Sequence, residues 1–305
     1  MSSISNHQER SSLGIVIVVL SFFFLTFLVF VISLLSLITN NSSDKENIGI
    51  IEIKGTIESV DRVLHDIQKF SDDESIKAIL IRIDSPGGSV AASHELLESI
   101  RAISKPVAIS MGDMAASGGY YVACAGPKIF ATPGTLTGSI GVISQVVELK
   151  DVLEFLRVKV HTVKTGPLKD SGSPFRAFSD EDQTYFEALG MDIFGQFVDL
   201  VSEARQIPRD KVLEIADGRV VTGKQAHALG LIDELGGMHT ALQYLVKEAN
   251  ISGTYNLVYP RQTGSELLNL LFESGGAHVQ EAIKAGAEAL TNRPETFRYL
   301  YTGPH

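Results

Sequence analysis

Cysteine is nearly missing from this chain of 305 residues: Cys124 is the single instance. No intramolecular disulfide can form, which excludes a disulfide-stapled secreted scaffold and leaves the compartment open. Cys124 falls in an apolar run and is predicted to be a small buried hydrophobe. A basic excess is missing as well. The 26 Lys and Arg face 36 Asp and Glu, for a net charge of −10 and a pI near 5.3. That balance argues against a nucleic-acid partner, which needs a basic face. There is no G-x-x-x-x-G-K-S/T and no G-x-G-x-x-G after a strand, so a nucleotide site is disfavoured. No repeat of fixed period and no low-complexity tract is found. Charge is absent from Ser11 to Ser43.

The uncharged stretch is itself informative. Within it, Ile15 to Leu37 is almost wholly apolar. As a helix it would reach roughly 34 Å, enough to cross a bilayer. A cleaved signal peptide would have a shorter apolar region and a small-residue exit. Here the exit is Thr39-Asn40-Asn41-Ser42-Ser43, so an uncleaved single-pass transmembrane helix is expected. Arg10 before the span and Lys45 after it give only a slight lean to a cytoplasmic N-terminus. The expected order is a cytoplasmic tail (1–14), an anchor (15–38), a linker (39–46), a catalytic domain (47–250) and a C-terminal extension (251–305).

Beyond the linker, strand and helix patterns alternate, and apolar content of 44% is ample for a core. Strands are predicted at 48–55, 77–84, 107–111, 128–132, 140–144 and 160–166. Helices are predicted near 60–70, 90–103, 118–125 and 180–206. KAILIRID (77–84) reads as a strand buried on both faces. The pattern indicates an α/β fold with largely parallel pairing. Phe297 to Tyr301 could form a terminal strand or docking tail.

Two Gly-rich turns follow buried strands: DSPGGSV (84–90) and AASGGYY (115–121). The second crowds Ala115, Ala116, Gly118 and Gly119 around one hydroxyl, Ser117. Close helix packing would explain this, and so would the approach of a large substrate to that oxygen. Acyl transfer needs a nucleophile, a base and donors for an oxyanion. Ser117 at a strand-to-helix turn can be the nucleophile. The N–H groups of Gly118 and of the Gly87-Gly88 turn can be the donors. The base is less plain. Eight histidines exist, none in a Gly-rich turn, and His161 is the best placed. The alternative is Lys169 in the loop KTGPLKDSGSPFR (164–176). A lysine base must be neutral, which desolvation favours. Asp170 would oppose this if it faced the amine, so it is expected to point away. Asp84 and Asp113 are read as turn residues, and Tyr120 and Tyr121 as packing.

The run MGDMAASGGYYVACAGPKIFATPGTLTGSIGV (111–142) resembles the signal peptide peptidase A family in its short, single-repeat bacterial form. DSPGG upstream, GPLKD downstream and GRVVTGKQAHALGLIDELGG (218–237) match it in order. The resemblance covers roughly residues 47–250. It implies a Clp protease/crotonase-like superhelix of ββα units. It also implies a Ser-Lys dyad, with Ser117 as nucleophile and Lys169 as general base. Ser139, in T-G-S-I-G, matches a serine that orients the lysine, and the oxyanion donors fall on Gly87 and Gly118. No metal or organic cofactor is implied. The implied enzyme is a serine endopeptidase of the bacterial inner membrane, with its catalytic domain outside the cytoplasm. Its partners would be remnant signal peptides or other extended apolar peptides, the bilayer, and copies of itself in a ring-like homo-oligomer. The dyad could then be assembled from neighbouring protomers. Rival readings are a related membrane protease that clips stomatin-like proteins and a crotonase-like acyl-CoA enzyme.

Overall fold

The computed structural model describes residues 23–32, 46–260 and 298–300, the last for their backbone. Residues 23–32 form a helix, α1. It lies inside the expected anchor, whose other residues are outside the described ones. No helix among the described residues is long and apolar enough to cross a membrane.

The rest is built on a mixed sheet. Strand β1 (Glu46–Lys54) is followed by helix α2 (Asp61–Asp72) and by β2 (Ile76–Ser85). A short β3 (Gly87–Ser89) leads into α3 (Val90–Arg101). Then come β4 (Val107–Ala116), α4 (Gly118–Ala123), β5 (Ile129–Ala131) and β6 (Leu136–Gly138). After α5 (Lys150–Phe155) and a 3₁₀ turn (Pro167–Asp170), the chain enters the long α6 (Asp180–Arg205). It finishes through α7 (Arg209–Ile215), β7 (Val220–Thr222), α8 (Gly223–Ala228), β8 (Glu234–Leu235), α9 (Met238–Glu248) and β9 (Tyr255–Val258). Strand β10 (Arg298–Leu300) stands apart in sequence.

The main sheet runs β7-β6-β4-β2-β1-β9, with β5 on β4 and β8 on β5. Its pairs are parallel except β6 with β7. Successive residues of a strand face opposite sides, and both sides here are covered. Ile51, Ile53, Ile79, Ile81 and Ile83 enter one core cluster, against α2, α3, α4 and α6. Ile48, Ile50, Ala78 and Leu80 enter the other, against α9. Double burial is why β2 reads as a near-continuous apolar run.

Three expectations differ from the structure. The predicted strand at 140–144 is not formed, because the positive φ of Ser139 (51°) turns the chain out of β6. The predicted strand at 160–166 is irregular and exposed, with Val163 fully exposed. Its β-branched residues find no neighbouring strand among the described residues, and β-propensity without a partner forms no ladder. In addition, β9 falls in the stretch assigned to the C-terminal extension, yet it pairs in register with β1. The sheet thus continues past residue 250.

Candidate active site

Strands β4 and β6 run parallel, with Ala116 opposite Gly138. The residue that follows each strand is a serine, so Ser117 and Ser139 both leave the sheet from its Ala116–Gly138 rung. Ser117 N–H donates to Gly138 O at 2.8 Å, and Ser139 N–H to Arg219 O at 2.8 Å. Both serines have positive φ, 52° and 51°. Such strain amounts to about 1–3 kcal/mol per residue and persists only where the surroundings impose it. The flanking ladders impose it here. Ser117 is the N-cap of α4, with ψ −117°, and its side chain makes no capping bond. This is the predicted strand-to-helix turn, wound so that the hydroxyl is left for other work.

The small residues around Ser117 are explained by contact. A Cβ on Gly119 would lie 2.9 Å from Ser85 O, so α4 can sit on the end of β2 only with glycine there. Tyr120 is fully buried and its hydroxyl donates to Leu231 O at 2.9 Å. Tyr121 is buried too, with Phe197 edge-on to its ring. Both tyrosines are packing residues, as expected. Cys124 is buried in the same core, and desolvation pushes its thiol up to about 12. Asp84, expected in a turn, lies within β2, and its Oδ1 accepts the Met114 N–H of β4 at 3.1 Å, where the register of the two strands shifts.

Ser117 and Ser139 line one cavity of about 900 Å³. Val142, Ile143 and Val146 from the segment after β6 supply an apolar wall, and Phe186, Met191 and Phe194 of α6 supply another. Glu187 and Asp217 add carboxylates to the lining. Of the two expected oxyanion donors, Gly118 is the first residue of α4, whose N–H has no partner within the helix. Gly87 has φ 103°, and its N–H donates to the buried Ser85 Oγ at 3.0 Å. Serving an oxyanion would require that N–H to leave Ser85.

Strand β3 is held on one edge by Ile57. Ile57 N–H donates to Gly87 O at 2.8 Å, and Ser89 N–H to Ile57 O at 2.7 Å. Backbone groups alternate in direction along a strand, which leaves the Gly88 edge for another partner. The chain's own β10 lies there, antiparallel, with Leu300 opposite Gly87 and Tyr299 opposite Gly88.

Lys169 is placed differently. It is exposed on the 3₁₀ turn Pro167–Asp170 and is not among the residues that line the cavity. One chain therefore gathers Ser117, Ser139 and Gly118, with β3 alongside, and leaves Lys169 apart from the cavity. No described histidine lines the cavity either, His161 included. His94 is occupied elsewhere, with Nδ1 3.0 Å from the Tyr121 hydroxyl. Among the described residues no cluster of His, Cys, Asp and Glu could hold a metal ion.

Sequence reasoning passed over the ion-pair network behind the Lys169 turn. Asp170 does turn to other cations: Lys164 Nζ is 2.6 Å from Oδ1, and Arg176 Nε is 3.2 Å from Oδ2. The two hydrogen-bonded cations hold its carboxyl below the usual carboxylate range. Arg176 also grips Asp182, whose carboxyl is pulled far below that range by this pairing and by Ser179. The one signal in the sequence is the capping box at Ser179 and Asp182 that opens α6.

Known proteins share this pattern. The profile of peptidase family S49 matches residues 99–252, and that of Clp protease matches residues 45–137. A protease-named protein of Synechocystis (slr0021) is 40% identical over 214 residues, which are 69% of this chain and 77% of its own.

The chain is a member of peptidase family S49.

An Enterococcus faecium relative carrying the name signal peptide peptidase SppA is 36% identical over 66% of this chain and 59% of its own. The chloroplastic serine protease SPPA of Arabidopsis thaliana is 37% identical over 67% of this chain and 30% of its own. The chain thus spans less than two thirds of those two relatives. As an S49 member it is an SppA-like serine peptidase with a Clp protease-like α/β fold, and the buried strained serine on the cavity wall fits that chemistry.

Proposed function

We propose that this S49 peptidase is a membrane-anchored endopeptidase in which Ser117 is the nucleophile and Lys169 the general base. The observation that carries the reading is the strained Ser117 at the mouth of α4, lining with Ser139 a cavity that has two apolar walls. Lys169 Nζ takes the proton of Ser117 Oγ as the oxygen attacks a peptide carbonyl. The N–H of Gly118 receives the oxyanion, joined by that of Gly87 once it leaves Ser85 Oγ. The ammonium then protonates the leaving amine, and water cleaves the acyl-enzyme through the same base. Ser139 orients the amine.

Lys169 is supplied to the cavity by a neighbouring protomer of a ring-like homo-oligomer. Its exposure on a turn supports this. So does the bare apolar surface of the segment leading to it, where Val152, Phe155, Leu156 and Val163 are exposed. Substrates bind as an antiparallel strand on β3 in place of β10, with apolar side chains in the cavity. Extended apolar peptides such as remnant signal peptides suit that seat. The apolar stretch 15–38 is the anchor in the bacterial inner membrane, with the catalytic domain on its outer side.

The test uses the assembled enzyme. A fluorophosphonate should label Ser117, and Ser117→Ala and Lys169→Ala should each abolish peptide cleavage. Co-assembling the two inactive proteins should recover part of the activity, because one donates the lysine and the other the serine. Near-normal turnover by Lys169→Ala would sink the dyad. A dead mixture would sink its assembly between protomers.

A further inference from the structure

Lys169 is followed at once in the chain by a carboxylate, Asp170. A free carboxylate there would pair with the ammonium and favour the protonated amine, the wrong form for a base. The structure shows what occupies it. Arg176 Nη2 reaches the Asp170 carbonyl oxygen at 3.0 Å and Oδ1 at 3.3 Å, while Nε faces Oδ2 at 3.2 Å. The same guanidinium forks onto Asp182, with Nη2 2.8 Å from Oδ1 and Nη1 on Oδ2. Asp182 is 1% exposed and also accepts from the N–H and hydroxyl of Ser179, at 3.0 and 2.8 Å. Lys164 Nζ adds bonds to Asp170 Oδ1 at 2.6 Å and Pro167 O at 2.8 Å. A planar, permanently charged fork can bridge two carboxylates and a carbonyl at once, and a lysine cannot.

The far end of this clamp matters as much. Asp182 opens α6, the helix whose Phe186, Met191 and Phe194 wall the Ser117 cavity. We propose that Arg176 and Asp182 are positioning residues for the base: they hold the Asp170 carboxylate off Lys169 and tie its turn to the helix that walls the cavity. The proposal rests on the reading of Lys169 as general base. Around the turn, the cations Lys164 and Arg176 balance Asp170 and Asp182. Charged groups on the adjoining segments are Glu148, which accepts the Phe178 N–H at 3.0 Å, Lys150 paired with Glu154 on α5, and Asp180 and Glu181 in the first turn of α6. Removing Arg176 leaves the cluster with an excess negative charge beside the lysine.

The experiment is the pH dependence of kcat/KM for the assembled full chain on a fluorogenic apolar peptide. Arg176→Met should move the acidic limb up by about 1 pH unit, the scale of one new carboxylate at close range. Adding Asp170→Asn to it should return the limb to its original place. Lys164→Met, at an exposed position, should give a smaller upward move that Asp170→Asn also reverses. A mere structural brace would lower activity equally at all pH, and an unmoved limb or a failed reversal overturns the proposal. Should Arg176→Met not fold, the Lys164→Met pair decides the matter by the same criterion. Lys169→Ala separates the two readings. If it is dead while the limbs stay put, the dyad stands and the clamp falls. If it turns over normally, both fall.

Discussion

Gly88 offers a sharp test of how β3 serves the site. A Cβ there would lie 2.1 Å from Ile57 O, 2.6 Å from its N and 2.7 Å from its carbonyl carbon. All three are backbone atoms, so no rotamer relieves the overlap. Non-bonded atoms settle near 3.5 Å, so in Gly88→Ala β3 must retreat by more than about 1 Å. That retreat breaks the Ile57 N–H bond to Gly87 O and the Ser89 N–H bond to Ile57 O, 2.8 and 2.7 Å long. Each contributes about 1 kcal/mol net, for a loss of about 2 kcal/mol. In a domain of this size that lowers Tm by roughly 4–8 °C. The larger effect falls on catalysis, because β3 carries both the seat for a substrate strand and the Gly87 donor. A displacement of about 1 Å in such a part costs about 10²-fold. The assay is kcat/KM on an apolar peptide, with a melting curve and the rate of Ser117 labelling by a fluorophosphonate. Gly55→Ala is the comparator. Gly55 has φ +69°, and a Cβ on it would meet nothing within 4 Å, so this variant should lose about 1 kcal/mol to strain and keep its activity. Unchanged kcat/KM in Gly88→Ala would refute the reasoning.

Other outcomes follow from the same geometry. Asp182→Asn removes one partner of a buried ion pair and should cost about 3 kcal/mol at pH 7, the low end for such pairs because Arg176 is partly exposed. Its carboxyl is depressed in the folded chain, so its stabilisation is full above the unfolded value near 4 and fades as pH falls below it. The Tm gap between wild type and variant should therefore narrow toward acid, and a widening gap would contradict the pairing. Cys124, with its thiol pushed up to about 12 by burial, should resist iodoacetamide at pH 8 until the chain is unfolded; rapid labelling of the folded enzyme would contradict its burial. Tyr120→Phe should lose the bond to Leu231 O, about 1 kcal/mol, with unchanged turnover, since the hydroxyl faces the core; a fall in kcat would give it a role in the site.

The α/β alternation, the doubly buried β2, and the turn that carries Ser117 were all legible in the residues alone. Each is written in local pattern: apolar runs of strand length, glycines where backbones must meet, a serine where strand gives way to helix. The strand expected at 140–144 failed because a positive φ at Ser139, which no composition announces, ends β6 early. That at 160–166 failed for want of a neighbouring strand among the described residues. That Ser117 and Ser139 each follow the last rung of β4 and β6 came from the folded chain, since strand order is a property of the sheet and not of either segment. The same holds for β10 lying on β3, and for Arg176 binding Asp170 to Asp182 behind an exposed Lys169. Contacts between residues far apart in the chain depend on how whole elements pack, and local residue patterns do not record that.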